Sequence, residues 1–242
     1  MSEKLSKAEY AQKMKEARKK LNETADKHSL DIIRDQEEYV SFLDLYSRMN
    51  YTVFNSLLIH AANPNATAIK DFAKWKEEGT FVKPKESGIQ ILEPDGTYMR
   101  KDGSVATKYK IKTMFDVSQT DAGIAEPQHY DPKEVRDSLI FGDEDAYEGK
   151  NLADAIDYAC EEAGQPNDDF TIAAARYAVK HRYGVSPNHF DEDVVSYFRD
   201  TTEPAGAKSQ LRELDHIYRA VVKKIDRGLY VKEMEKANEQ QR

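Results

Sequence analysis

Lys108, Lys110 and Lys112 alternate with Tyr109, Ile111 and Thr113. On a β-strand that period puts three ammonium groups on one face while apolar side chains fill the other. Lys83, Lys85, Arg100 and Lys101 come from the adjoining turns. Upstream, IKDFAKWKEE reads as a short helix in which Lys70 and Lys74, four apart, share a face, with Trp75 about a quarter turn away. Such a stripe suits a phosphate backbone, and aromatic rings beside it suit stacking on unpaired bases. Tyr51, Asn55 and Trp75 are the candidates for stacking or hydrogen bonding to a base. A plainer reading stands beside this one. Period-two lysines also keep an exposed sheet soluble and protect its edge, Tyr51 and Trp75 also suit a core, and Asn55 also suits capping a neighbouring loop.

Other chemistries find less support. The six histidines (His28, His60, His129, His181, His189 and His216) form no H-E-x-x-H or H-x-H arrangement. His181 and His189 stand eight apart across a glycine and a proline, poor spacing for a chelate on one helix. No phosphate-cradling glycine motif and no nucleophile elbow occurs. The lone Cys160 lies among acidic residues in YACEEAG, which raises a thiol pKa, so it reads as a small helix residue. Asp143, Glu144 and Asp145 read as a solvated loop. The expectation is a protein without catalytic residues, resident metal or cofactor.

The 242 residues carry a net charge of −8, yet the acidity is local. Asn65 to Phe115 carries ten basic and seven acidic side chains, whereas Asp116 to Phe170 carries three and sixteen. A basic face is thus compatible with an acidic sector. No apolar run approaches the roughly 18 residues of a membrane helix, and the lysine-rich start lacks the apolar core of a signal peptide. One large or two small domains in the cytoplasm are expected.

Ser2 to Asn63 reads as helix almost throughout, with Phe54, Leu57, Leu58 and Ala61 forming one buried stripe before Asn63-Pro64-Asn65 stops it. Thr80 to Val82, Ile89 to Leu92 and Tyr109 to Val117 read as strands, the last with Tyr109, Ile111, Thr113, Phe115 and Val117 facing a core. Two Asp-Gly pairs between them are hairpin signals. DAGIAEPQHYDPKE reads as a linker whose end starts a helix, with Asp131 as N-cap and Pro132 in the first turn. FGDEDAYEGKN reads as a mobile acidic loop. Helices follow at Leu152 to Ala163, Asp169 to Tyr183 and Ser209 to Lys236, the last two separated by a stretch opening GVSPNHF. The fold class is α+β: N-terminal helices on a small antiparallel sheet, then a mainly helical domain.

FLDLYSRMNYTVFNSLLIHAANPNATAIKDFAKWKEEGTFVKPKESGIQIL and the closing FDVSQT resemble the N-terminal domain of the ArdC antirestriction proteins and their LtrC-like relatives from plasmids, conjugative elements and phages. The matching pieces are a YSxxNxxLI helix (here Tyr51 to Asn55 and onward), a P-x-A-T turn, a helix with Trp-Lys and a turn Val82 to Ile89. In that turn Lys85 or Pro84 replaces a family glycine. The resemblance covers roughly residues 37 to 121 and implies single-stranded-DNA binding. Family members commonly continue into a zincin-like peptidase domain, and FTIAAARYAVKHRYGVSPNHF resembles its part downstream of the catalytic helix. Ala173 and Ala174 stand where acidic and polar residues, including a zinc ligand, are expected, and LADAIDYACEEAG has no histidine. Zinc hydrolysis needs about three protein ligands and a water, so the resemblance implies a degenerate domain without peptidase activity.

The expected organisation is a helical extension (1–36), a nucleic-acid-binding module (37–121), an acidic linker (122–150) and a helical domain (151–242). The first functional expectation is a single-stranded-DNA-binding accessory or antirestriction-type protein of a phage or mobile element. The second is an inhibitor that docks its acidic surface on a host defence enzyme. The third, a hydrolase with an unconventional metal site, is the weakest.

Overall fold

The computed structural model describes residues 6–124, 128–185 and 189–239. Residues 2–5 of the expected first helix, 125–127 of the linker, 186–188 of GVSPNHF and the last three residues lie outside the described residues. The helices are α1 (Lys7–Ile32), α2 (Gln36–Arg48), α3 (Val53–Ala62), α4 (Phe72–Glu77), α5 (Pro132–Leu139), α6 (Leu152–Gly164), α7 (Asp169–Arg182), α8 (Val194–Tyr197) and α9 (Pro204–Glu239). The strands are β1 (Ile69–Asp71), β2 (Ile89–Met99) and β3 (Val105–Asp116). The described chain divides into two units, one of residues 6–31 and 54–124, the other of residues 32–53, 128–185 and 189–239. The architecture is α+β, with one three-stranded antiparallel sheet ordered β1-β3-β2.

In the first unit the expected helix over Ala68 to Glu78 is split. Ile69 to Asp71 pairs with β3 opposite Asp116 to Met114, and only then does α4 begin. Asp71 explains the break: its backbone is extended and its carboxylate caps Lys74 N at 2.8 Å, so it starts the helix rather than lying within it. Lys70 and Lys74 therefore do not share a helix face. Thr80 to Val82 contributes a single bridge, Val82 to Thr120. Of the two Asp-Gly pairs, Asp102-Gly103 makes the hairpin turn, where the Asp102 carboxylate accepts from Ser104 N and Oγ. Asp95-Gly96 falls inside β2, where the pairing jumps from Pro94–Tyr109 to Thr97–Thr107. Two residues there face one, a β-bulge.

The strand faces also differ from expectation. Ile89 pairs with Met114, Ile91 with Lys112 and Glu93 with Lys110, so the lysines lie on the face that includes buried Ile89, Ile91 and Met114. Tyr109 and Thr113 on the opposite face are exposed. The core covers only the first few pairs. Farther along, Tyr98, Met99 and Val105 are exposed too, and alternation has nothing to bury against. Likewise α3 is buried around most of its circumference: Asn55, Ser56, Leu57, Leu58, Ile59 and His60 are buried, Phe54 is half-buried and Ala61 exposed. His28 Nε2 and His60 Nδ1, 2.7 Å apart, join α1 to α3.

The second unit is helical. Its inclusion of α2 departs from the expected organisation, and the cause is packing: Tyr39 lies 5.8 Å, centre to centre, from each of Phe170, Phe190 and Phe198, and Tyr46 lies 4.9 Å from Tyr218. Asp131 caps α5 through Lys133 N and Glu134 N, with Pro132 at its first position, as the sequence predicts. The expected acidic loop contains a 3-10 turn, Glu144–Tyr147, in which Tyr147 is buried and Lys224 Nζ reaches both Asp143 and the Tyr147 hydroxyl at 3.2 Å. Asp143 to Asp145 stay exposed around that anchor. A Cβ at Gly228 of α9 would lie 2.3 Å from the Ser138 carbonyl oxygen of α5. In an open helix Gly→Ala gains about 1 kcal/mol. Here Gly228→Ala should instead cost about 1–3 kcal/mol, since the obstacle is backbone, seen as a lower midpoint of thermal unfolding by circular dichroism.

Candidate nucleic-acid interface

The residues of FDVSQT organise the first unit around one carboxylate. Asp116 is 1% exposed, and its Oδ1 accepts from Thr67 N (2.8 Å) and Ala68 N (3.1 Å) while Oδ2 accepts from Ser118 N (2.9 Å) and Ser118 Oγ (2.6 Å). Gln119 returns its side-chain oxygen to Asp116 N and donates to Glu86 Oε2 and Ser87 O. The Asn-Ala-Thr-Ala turn, the end of β3 and the Lys83–Lys85 loop are thereby tied together. Lys85 sits at φ 70°, the left-handed region that glycine enters without strain. Lys85, one of the two positions at which the resemblance expects a glycine, thus has a backbone that glycine would suit.

Two of the sequence candidates serve the fold. Trp75 is 4% exposed and donates its indole N–H to Phe115 O at 2.9 Å, so its ring is not open to a base. Asn55 is 7% exposed and spends both ends of its amide on Leu92, donating to its O at 2.9 Å and accepting from its N at 3.0 Å, which fastens α3 to β2. Tyr51 belongs to the second unit, where its carbonyl accepts from Arg219 Nη2 at 2.6 Å. Lys70 is ion-paired with Glu78, its Nζ 4.6 Å from the Trp75 ring centre.

The lysine stripe is partnered as well. Lys108 pairs with Asp95 (3.4 Å), Lys110 with Glu93 (3.2 Å) and Asp95 (3.5 Å), and Lys112 with Asp71 (2.8 Å) and Glu93 (2.7 Å). Three cations meet three carboxylates, and the field projected by the stripe is small. Its hydrogen bonds to Asp71 and Glu93 raise the Lys112 pKa, and those same bonds hold both carboxyls below their ordinary values. Among the described residues, cations around the sheet that no carboxylate pairs include Lys74 and Lys76 on α4, Lys85 in its loop, Arg100 and Lys101 at the hairpin turn, and Lys83, whose ammonium donates to Ser118 O at 3.0 Å; α1 carries further lysines. Phe72 and Phe81, 56% and 55% exposed, belong to this same segment. The sequence offered a signal for them: each apolar ring sits within two residues of a lysine, outside any apolar period.

In the second unit His181 Nδ1 lies 2.6 Å from Ser47 Oγ, and its Nε2 lies 3.3 Å from Asp44 Oδ1, which accepts from the Tyr177 hydroxyl at 2.7 Å. These are the residue types of acyl transfer. Ser47 is fully buried on α2, however, and its hydroxyl also reaches Asp44 O at 2.9 Å, so no substrate carbonyl gains access. Desolvation lowers the His181 pKa, with the Asp44 carboxylate opposing. The neutral ring joins α2 to α7. Cys160 is buried, and desolvation raises its thiol pKa to about 12.

The helices that the zincin resemblance concerns carry ion pairs. Asp157 of α6 lies 2.6 Å from Lys180 Nζ and 3.3 Å from Arg176 Nε of α7, and Glu161 also pairs with Arg176. Ala173 and Ala174 offer no donor atoms. Carboxylates already neutralised by an ammonium and a guanidinium do not fit zinc, which needs about three free protein ligands. No group of three or more His, Cys, Asp or Glu side chains able to hold a metal occurs among the described residues.

Two stability outcomes follow from this geometry. Asp116→Ala strands four donors at a buried position and should lower stability by about 3 kcal/mol or more; urea unfolding followed through Trp75 fluorescence reads this unit directly. Asp71 and Glu93 have depressed pKa values, so their stabilisation is present above the ordinary carboxylate range near 4 and is lost as pH falls through their folded values. The same fluorescence midpoint should decline on acidification below about pH 4, and Lys112→Met should flatten that decline.

No protein-family model matches the chain, and no curated protein matches it. Among solved structures it is similar to the metal-free crystal structure of the antirestriction ArdC protein from the R388 plasmid, with a TM-score of 0.50 and 16% identity, over 84% of this chain and 96% of that one. The chain has an ArdC-like fold.

Proposed function

We propose that this chain is a single-stranded-DNA-binding accessory protein of antirestriction type, encoded by a phage or mobile element and acting in the host cytoplasm without peptidase activity. The supporting observation is the surface of residues 72–85, where exposed Phe72 and Phe81 accompany Lys74, Lys76, Lys83 and Lys85, none held by a carboxylate among the described residues. Each ring can stack on any unpaired base, which contributes about 1–3 kcal/mol. Each free ammonium can replace counterions on the strand. The Asp116 hydrogen bonds hold the loop in place before DNA arrives, which lowers the ordering cost of binding. The fold shared with an antirestriction protein supports the biological setting, and the occupied α6 carboxylates support the absence of hydrolysis.

Lys108, Lys110 and Lys112 take a lesser part in this reading, since DNA would first have to displace their carboxylate partners. Arg100 and Lys101, free at the hairpin tip, extend the phosphate path. A second reading, docking of the acidic sector on a basic host enzyme, has one observation in its favour: Glu144 and Asp145 are exposed on a turn anchored by buried Tyr147.

Fluorescence anisotropy with labelled single- and double-stranded oligonucleotides at two salt concentrations tests the first reading. Single strands should bind more tightly, Phe72→Ala with Phe81→Ala should weaken binding at least about tenfold, and Lys83→Glu with Lys85→Glu should also reduce the salt dependence. Absent or salt-independent binding would sink the proposal. A partner captured from host lysate and lost on charge reversal of Glu144 and Asp145 would favour the second.

A further inference from the structure

One face of α9 carries a line of cations that ends in a tyrosine. Arg219, Lys223 and Arg227 recur every four residues, and Tyr230 follows three later, so all four lie on one face of the helix, the cations about 6 Å apart along it. With Asn50, Tyr218, Val222 and Asp226 they line a groove of about 500 Å3 within the second unit. Lys223 and Arg227 are exposed, and no carboxylate among the described residues pairs with them. Tyr230 is 63% exposed, an aromatic ring at the end of a line of cations. Arg212 and His216, both exposed, continue the same line toward the start of α9.

Two acids that border this face accept hydrogen bonds. Asp215 Oδ1 accepts from the Tyr46 hydroxyl at 2.6 Å and from Arg219 Nε at 2.7 Å. Asp226, within the groove, accepts from the Tyr183 hydroxyl at 3.3 Å. Arg219 is fixed between Asp215 and Tyr51 O, so its guanidinium is positioned in advance. Two exposed cations, one positioned cation and an exposed ring lie on one side of the helix.

We propose that this groove is a second single-strand site, in which successive phosphates rest on Lys223 and Arg227, beside the carboxylate-paired Arg219, while a base stacks on Tyr230. It rests on the single-stranded-DNA reading above. The chemistry favours an extended strand over an acidic peptide, because the groove joins its cations to aromatic and aliphatic walls, Tyr218, Val222 and Tyr230. A polycarboxylate would use only the cations. A base with its phosphate uses both.

The test is anisotropy on the full chain with a fluorescein-labelled oligothymidylate about fifteen nucleotides long, near the upper range of one binding module. Lys223→Glu with Arg227→Glu should weaken binding about tenfold or more and lower the salt slope by about 1.4, two phosphate contacts on a single strand. Tyr230→Ala should weaken it about fivefold or more with the slope unchanged. These side chains are exposed, and circular dichroism should show α9 intact. If the wild-type chain binds and the Lys83→Glu, Lys85→Glu variant loses affinity while the α9 variants do not, the second site is overturned and the first reading stands. If the wild-type chain binds no oligonucleotide, both fall. Displacement by polyglutamate as readily as by unlabelled strand, or equal losses on a duplex, would also overturn the assignment to a single strand.

Discussion

The first unit depends on a buried charge. Removing a carboxylate from water is costly unless donors replace the lost hydration, and Asp116 recovers it from two backbone segments and a serine hydroxyl. Since those donors belong to the turn before β1 and the turn after β3, satisfying one side chain fixes where both ends of the sheet stand. The Lys83–Lys85 loop inherits that geometry through Gln119 and the Ser118 carbonyl. The sequence FDVSQT is thus an architectural element that positions the loop after α4.

Charge in this chain is organised by partners rather than by number. The lysines that stand out most in the sequence, those of β3, are the most completely neutralised. The ones with fields to project lie in less regular stretches, on α4, in the loop after it, at the hairpin tip and along α9. A period-two pattern marks a strand face well. Whether that face is charged depends on the neighbouring strand, and β2 answers with Glu93 and Asp95 across the bulge.

This explains what could be read in advance. Features set by local chemistry were legible: the Asp131 cap with Pro132, the helical periods of α6, α7 and α9, and the raised pKa of Cys160. The left-handed backbone at Lys85 was not singled out from Pro84 beforehand. Features set by distant residues were not. Three residues are too short for β1 to show a period, so the helix-forming run after it dominated the reading. The face of β3 that meets the core is decided by how far the covering layer extends. Trp75 and Asn55 were legible as important, but the acceptor at Phe115 and the amide pairing to Leu92 lie 40 and 37 residues away and settle their roles as structural. The Ser47–His181 contact joins residues 134 apart and left no local trace.

The membership of α2 in the second unit has a consequence for synthesis. As the chain leaves the ribosome, Tyr39, Phe42 and Tyr46 emerge early, yet the surfaces they pack against, on α7 and α9, arrive more than a hundred residues later. Closing so long a loop is slow, and an apolar helix must wait in the open while the unit on either side of it in sequence completes its sheet. The nascent protein therefore carries an exposed aromatic segment through most of its translation, the stretch most open to misassembly before α7 and α9 arrive.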